Sequence, residues 1–308
     1  RITLVALVVT IIILLILSGV AINLSIGEEG IFKRAVESTE KMSEAQEKEK
    51  IELAVINSKI DNVGTLEISG ESLKNTLEEQ FKNKEEITFI DNNDGSYMLK
   101  INNTDREYYI NNDGEIIDNS NMLAISTEEE LKKFRDEVNS GNAYEGKYVY
   151  LENNIVLEEA WIPIGYNDDN NVITFNGIFD GKNSKISNIN INNPQKLYQG
   201  LFAKIGKNAS IKNVKVEGNI LGGKYVAGIV GYNEGTIKNC GNEVNISSQY
   251  DKEGDYDSKI GGIAGQNYNG TINGCYNKGE IQNTRTRAGG ITGDSVGGEI
   301  KNCYNLGE

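Results

Sequence analysis

Histidine is absent from all 308 residues, so no imidazole can act as a general base, a metal ligand or the partner of a nucleophile. Most familiar hydrolase chemistries go with it. Proline is nearly absent, with two residues, and the three cysteines (Cys240, Cys275 and Cys303) make neither a CxxC pair nor an even disulfide framework. Positive charge is in deficit: the formal net charge is -14, so a phosphate backbone is repelled and nucleic acid is excluded as a partner. What remains is an acidic chain, long enough for two or more domains.

The opening stretch, RITLVALVVTIIILLILSGV, carries one cation and is followed by no further charge until Glu28. Residues 2–22 are apolar apart from Thr3, Thr10, Ser18 and Gly19, and a helix of that length spans roughly 30 Å, the thickness of bilayer hydrocarbon. A helix apolar on every side must be buried in lipid or among other helices. A cleavable signal ending near Gly19-Val20-Ala21 and a transmembrane anchor with Arg1 on the cytoplasmic side are two readings. The missing initiator Met points to processing upstream.

A third reading is a resemblance. ITLVALVVTIIILLILSGVAINL resembles the N-terminal segment of type IV pilin-like proteins of the Gram-positive, clostridial type. In that family a prepilin peptidase removes a short leader, and the apolar helix waits in the membrane before packing with its copies into a filament core. The resemblance covers residues 1–60. It implies core or membrane contacts at Leu4, Val5, Leu7, Val8 and Ile11, continued by Ile12, Leu14, Leu15, Ile16 and Val20. It assigns Arg1, Ile2 and Ala6 to the processed end. Two positions depart from the pattern: Arg1 stands where the leader's last Gly is usual, and Ala6 where most pilins carry the Glu assigned to pairing with a neighbour's terminal amine. The implied partners are identical subunits in a helical homopolymer, the inner membrane before assembly, and a surface glycan or host protein. The implied location is an extracellular filament or the cell surface, with a membrane-anchored monomeric adhesin as the alternative.

Beyond Gly27 and Gly30, which weaken a helix, the helical signal resumes: Ile31, Ala35, Met42, Ile51, Ala54, Val55 and Ser58 recur at helical spacing, with Glu37/Lys41 and Glu44/Lys48 as i,i+4 pairs on a wet face. Residues 69–125 read as a small α+β module. Leu73, Leu77 and Phe81 stripe a short helix, and ITFIDNNDGSYMLKI and REYYINNDGEII alternate around Asp-Gly turns. The two NNDG segments lack calcium-loop spacing and a bidentate Glu, so they are turns.

At Ser126 the texture changes. A capping box, Ser126 with Glu129 or Thr127 with Glu130, opens a helix to about Asn139, and then self-similarity appears. GIVGYNEGTIKNCGN, GIAGQNYNGTINGCYN and GITGDSVGGEIKNCYN are one unit three times, and GLFAKIGKNASIKNV is a fainter copy. Their leading glycines, Gly200, Gly228, Gly262 and Gly290, differ by 28, 34 and 28, which places an insertion in the loop around QYDKEGDYDSK and marks a solenoid. Each unit holds about three β-capable runs. Ile229, Ile263 and Ile291 are expected to stack inward, as are Ile237, Ile272 and Ile300; Cys240, Cys275 and Cys303 would form a ladder of free thiols. These copies resemble the GLUG motif of bacterial surface proteins and of non-catalytic regions of some secreted peptidases. The resemblance implies a parallel β-helix over 126–308, and the abrupt stop within a coil implies a chain continuing past Glu308.

The expected class is therefore α+β: a long N-terminal hydrophobic helix over 1–60 (apolar over 1–26, amphipathic over 31–60), a small antiparallel β headpiece of pilin type over 61–125, then the parallel β-helix. No enzyme, cofactor or metal is expected. The acids that could contradict this are Asp251, Glu253, Asp255 and Asp257 of the insertion loop, with Asp168, Asp169 and Asp180.

Overall fold

A computed structural model describes residues 31–61, 68–82, 84–168, 171–249, 258–283 and 287–307. The chain divides into two compact units, Arg1–Ser120 and Asn121–Glu308.

In the first unit, helix α1 (Ile31–Asp61) buries Glu47, Ile51, Ala54, Val55 and Ser58, a stripe at the helical period, while Met42 stays exposed. Helix α2 (Gly70–Gln80) starts where Ser69 accepts a bond from the Ser72 N–H, and it buries Leu73 and Leu77. Four strands, β1 (Ile87–Asp91), β2 (Tyr97–Ile101), β3 (Arg106–Ile110) and β4 (Ile116–Asp118), form an antiparallel meander in chain order. The NNDG segments make its tight turns: Gly95 and Gly114 take φ of 82° and 83°, and the Asn111 carboxamide accepts from the N–H groups of Asp113 and Glu115. Buried Glu47 pins helix to sheet, accepting from Arg106 Nη1 at 2.9 Å, Thr104 Oγ1 at 3.0 Å and Tyr108 OH at 2.9 Å. Burial beside that carboxylate pushes the Tyr108 phenol pKa up.

The second unit is a parallel β-solenoid. Its N-terminal helix, α3 (Glu128–Asn139), is opened by Thr127, with Glu130 closing the capping box. Leu131, Phe134 and Val138 on α3 are buried, and the Phe134 ring sits 4.9 Å from Tyr144, 5.8 Å from Phe175 and 6.0 Å from Phe179. The helix thus covers the aromatic interior of the first coils. Each of the later coils has four faces rather than the three expected. The run YVAGIVGYN breaks into Tyr225–Ala227 and Val230–Asn233, and Gly228 at the break lies where a side chain would strike the Asn242 carboxamide at 1.9 Å.

The first face stacks Tyr225–Ala227, Lys259–Gly261 and Arg287–Gly289; the second stacks Phe202–Ile205, Val230–Asn233, Ala264–Tyr268 and Thr292–Val296. The third is a seven-stranded ladder from Met122–Ile125 to Glu299–Lys301, whose central residues Val149, Phe179, Ile211, Ile237 and Ile272 are all buried in register. The fourth carries the long strands Lys185–Asn192, Lys215–Gly222 and Gly241–Ser248.

These strands correct the expected class. The protein is mostly β, with a β-solenoid as its main body, and the α+β assignment with a pilin-type headpiece does not stand; the apolar part of the expected N-terminal helix, residues 1–26, lies outside the described residues. Period-two alternation and Gly/Asn turns fill most of the chain, and they outweigh the helical signal of the first 60 residues. Among the described residues no helix is long and apolar enough to cross a membrane.

Candidate functional site

The sequence-derived positions fall into three groups. Arg1, Ile2, Ala6 and the apolar set from Leu4 to Val20 lie outside the described residues, as do Asp169, Asp251, Glu253, Asp255 and Asp257. Asp168 closes the strand Tyr166–Asp168. The solenoid positions form the interior except in the last coil, where Ile300 is 41% exposed and Ile291 and Cys303 are partly buried. Ile237 faces Ile272 and Ile272 faces Ile300 in register; Ile229 and Ile263 are buried, and Ile291 packs against the core.

Asp180 is buried and fully engaged: Tyr148 OH donates to it at 2.6 Å, the Lys182 N–H at 2.9 Å and Asn213 Nδ2 at 3.0 Å, with the Lys212 ammonium 4.0 Å away. That acid joins coils and is closed to substrate. Among the described residues no three Asp, Glu or Cys side chains gather as metal ligands.

The three cysteines occupy one corner, between the third and fourth faces, each following a left-handed residue: Asn239 (φ 53°), Gly274 (φ 67°) and Asn302 (φ 52°). All three are unbridged; Cys240 and Cys275 are buried and Cys303 is partly so. Burial pushes the Cys240 thiol well above its ordinary pKa.

Two asparagine ladders, buried except at the terminal Asn305, explain the repeat glycines. Asn242 Nδ2 donates to Asn277 Oδ1 at 2.6 Å and Asn277 Nδ2 to Asn305 Oδ1 at 2.7 Å; Asn233 Nδ2 donates to Asn267 Oδ1 at 2.7 Å. The first ladder lies against Gly228, Gly262 and Gly290, where added Cβ atoms would come within 1.9, 2.6 and 2.3 Å of it. The glycine opening each repeat and the asparagine closing it thus meet in space.

On the outside, the fourth face changes direction at one corner. The strand register shifts between Ile186 and Ile189, Asn188 takes φ of 62°, and Gly218 takes φ of 147° where a Cβ would strike Ile189 O at 2.1 Å. Beyond the corner lies a groove of about 450 Å³. Asn190, Asn219 and Asn245 form one in-register row along it, and Asn192, Leu221, Ser247 and Gln282 form a second. The rows are tied laterally: Asn245 Nδ2 donates to Asn219 Oδ1 at 3.4 Å, and Asn245 Oδ1 accepts from the Glu280 N–H at 3.1 Å. Among the described residues Glu280 is the one ionisable group lining the groove, and Gln282 Nε2 donates to its carboxylate at 2.6 Å. Elsewhere on this face Lys185 pairs with Glu217 at 2.8 Å and Lys278 with Glu243 at 3.6 Å.

The aromatic cluster of the first two faces is spent internally. Tyr198 and Tyr225 stack at 4.9 Å, and the ammonium groups of Lys204 and Lys259 lie 5.0 and 5.4 Å from the rings of Tyr232 and Tyr225.

Residues 258–282 match the GLUG motif. The GLUG coil runs from Ser258 through Gly262, Asn267 and Cys275 to Gln282, and so contributes to both asparagine ladders and, with Glu280 and Gln282, to the groove. Curated proteins give no match. Among solved structures, a Bacteroides ovatus protein whose name proposes an immunoglobulin A1 protease is similar at 20% identity and a TM-score of 0.43, over 62% of this chain and 67% of that one.

The groove is the feature that the repeat alignment missed. Its residues sit outside the aligned units, yet NININ (residues 188–192) shows strict alternation with amides at every second position, the pattern of one wet face.

Proposed function

We propose that this protein is a non-catalytic surface protein that displays its β-solenoid as a binding body, carried in a pilus-like extracellular filament through its apolar N-terminal stretch. The observation that carries the display reading is the contrast between interior and exterior of the solenoid. The interior is spent on Ile, Cys and Asn ladders, while the outer fourth face holds an open groove lined by side chains suited to binding. The two buried acids among the described residues, Glu47 and Asp180, are both saturated by structural bonds, which supports binding over chemistry. A GLUG coil within a solenoid supports a surface or extracellular setting.

The filament part rests on the sequence of residues 2–22. Each Leu or Ile transferred there from water to a dry contact is worth about 1.5–3 kcal/mol, so the stretch strongly favours association or lipid. Replacing Ile11 with Asp is expected to remove the chain from sheared cell-surface material; undiminished recovery of that variant would overturn the filament. Ala6, lacking the carboxylate usual in pilins, favours a second reading, a membrane-anchored monomeric adhesin. Recovery of the wild-type chain solely from the detergent-extracted membrane fraction would select it.

A further inference from the structure

We propose that the groove on the fourth face binds a neutral oligosaccharide laid along the solenoid axis; this rests on the reading of the solenoid as a displayed binding body and names its ligand class. A carboxamide offers two donor hydrogens and an acceptor oxygen, so it matches a sugar hydroxyl, which both gives and accepts. Asn190, Asn219 and Asn245 present that group on three successive coils in register. Successive strands lie about 4.8 Å apart. The repeat of an extended 1,4-linked sugar chain is close to that spacing, so consecutive sugars meet consecutive coils.

The second row adds the apolar contact that sugars require. Leu221, half-buried, stands in register between Asn192 and Ser247, giving a methyl-bearing surface flanked by polar groups. It suits the C–H face of a pyranose or the methyl of an N-acetyl group. The volume of about 450 Å³ lies within the usual range for small-ligand sites.

Charge selects the class. Among the described residues Glu280 is the only ionisable group lining the groove and no cation lines it, on a chain whose net charge is -14. A polyuronate or a sulfated glycan would meet repulsion there, and a neutral one would not. The corner that builds the groove is fixed by backbone contact: Gly218 closes on Ile189 O, and at Gly279 a Cβ would meet Val244 O at 1.9 Å.

The test is calorimetric titration of the full chain, held in a detergent without a sugar headgroup, with cellotetraose, the tetramer of N-acetylglucosamine, and tetragalacturonate. Saturable binding of at least one neutral tetramer is expected, with none of the acidic one. The Asn219→Ala/Asn245→Ala double variant should weaken it about tenfold or more, a loss of about 1.4 kcal/mol, while Thr236→Ala on the third face leaves it unchanged. Asn192→Ala, at an exposed position, supplies the second variant should the double one fail to fold. No heat with either neutral tetramer, stronger binding of tetragalacturonate, or full affinity in the variants would overturn the proposal. The display reading fails on a different result, absence of the chain from surface fractions, which leaves these titrations standing.

Discussion

At the scale of single residues, the repeat is governed by contacts that leave no space. Gly262 sits 2.4 Å, measured to an added Cβ, from the carbonyl oxygen of Gly290, and that atom belongs to backbone that cannot swing aside. Gly262→Ala is therefore expected to destabilise by about 3 kcal/mol, the upper end of overpacking costs, read as a lowered urea midpoint. An unchanged midpoint would show that the coils separate more easily than the ladders imply. The thiols give a second residue-scale outcome. The thiolate is the reactive form, Cys240 is buried with its pKa pushed up, and Cys303 is partly exposed. Mass-mapped alkylation of the folded protein should label Cys303 first and Cys240 only after unfolding; equal rates at the two would contradict the burial.

At the scale of elements, the account turns on α3 and the ladders it covers. The Phe134 ring is fully buried among Tyr144, Phe175 and Phe179, so Phe134→Ala should cost about 3–5 kcal/mol. Val156→Ala, at a site 63% exposed, should stay within about 0.5 kcal/mol. Denaturant midpoints for the pair check both, and equal losses would mean that α3 is not the cover of the solenoid interior. Much of this element was legible in the sequence. Thr127 and Glu130 carry a local signature that needs no tertiary information, and Ile237, Ile272 and Ile300 hold the same place in each copy of the repeat, which stacking brings into register. The fourth face per coil was not legible, because the break falls at Gly228, whose close neighbour Asn242 is fourteen positions away in sequence and adjacent only across the coil.

At the scale of the whole molecule, the α+β expectation failed through weighting. The hydrophobic opening and the 31–60 helical stripe dominate a reading from the N-terminus, whereas the Gly- and Asn-rich remainder sets the class. The groove escaped for a related reason. Its first strand, Lys185–Asn192, precedes the clear repeats, and its amide rows exist only once Asn190, Asn219 and Asn245 are brought into register by the stacking of coils. Alternation announces a wet face, and nothing in alternation says that three such faces will align. The acids singled out as the alternative site show the converse: Asp180 stood out by charge, and the fold uses it to hold Tyr148, Asn213 and Lys212 together.

The central claim, display of the solenoid at the cell surface in a filament, is tested most directly by electron microscopy of sheared surface material, with mass spectrometry of the same fraction. The account predicts filaments that contain this polypeptide. Recovery of the chain only from the detergent-extracted membrane fraction or the cytosol, with filaments free of it, would contradict the claim.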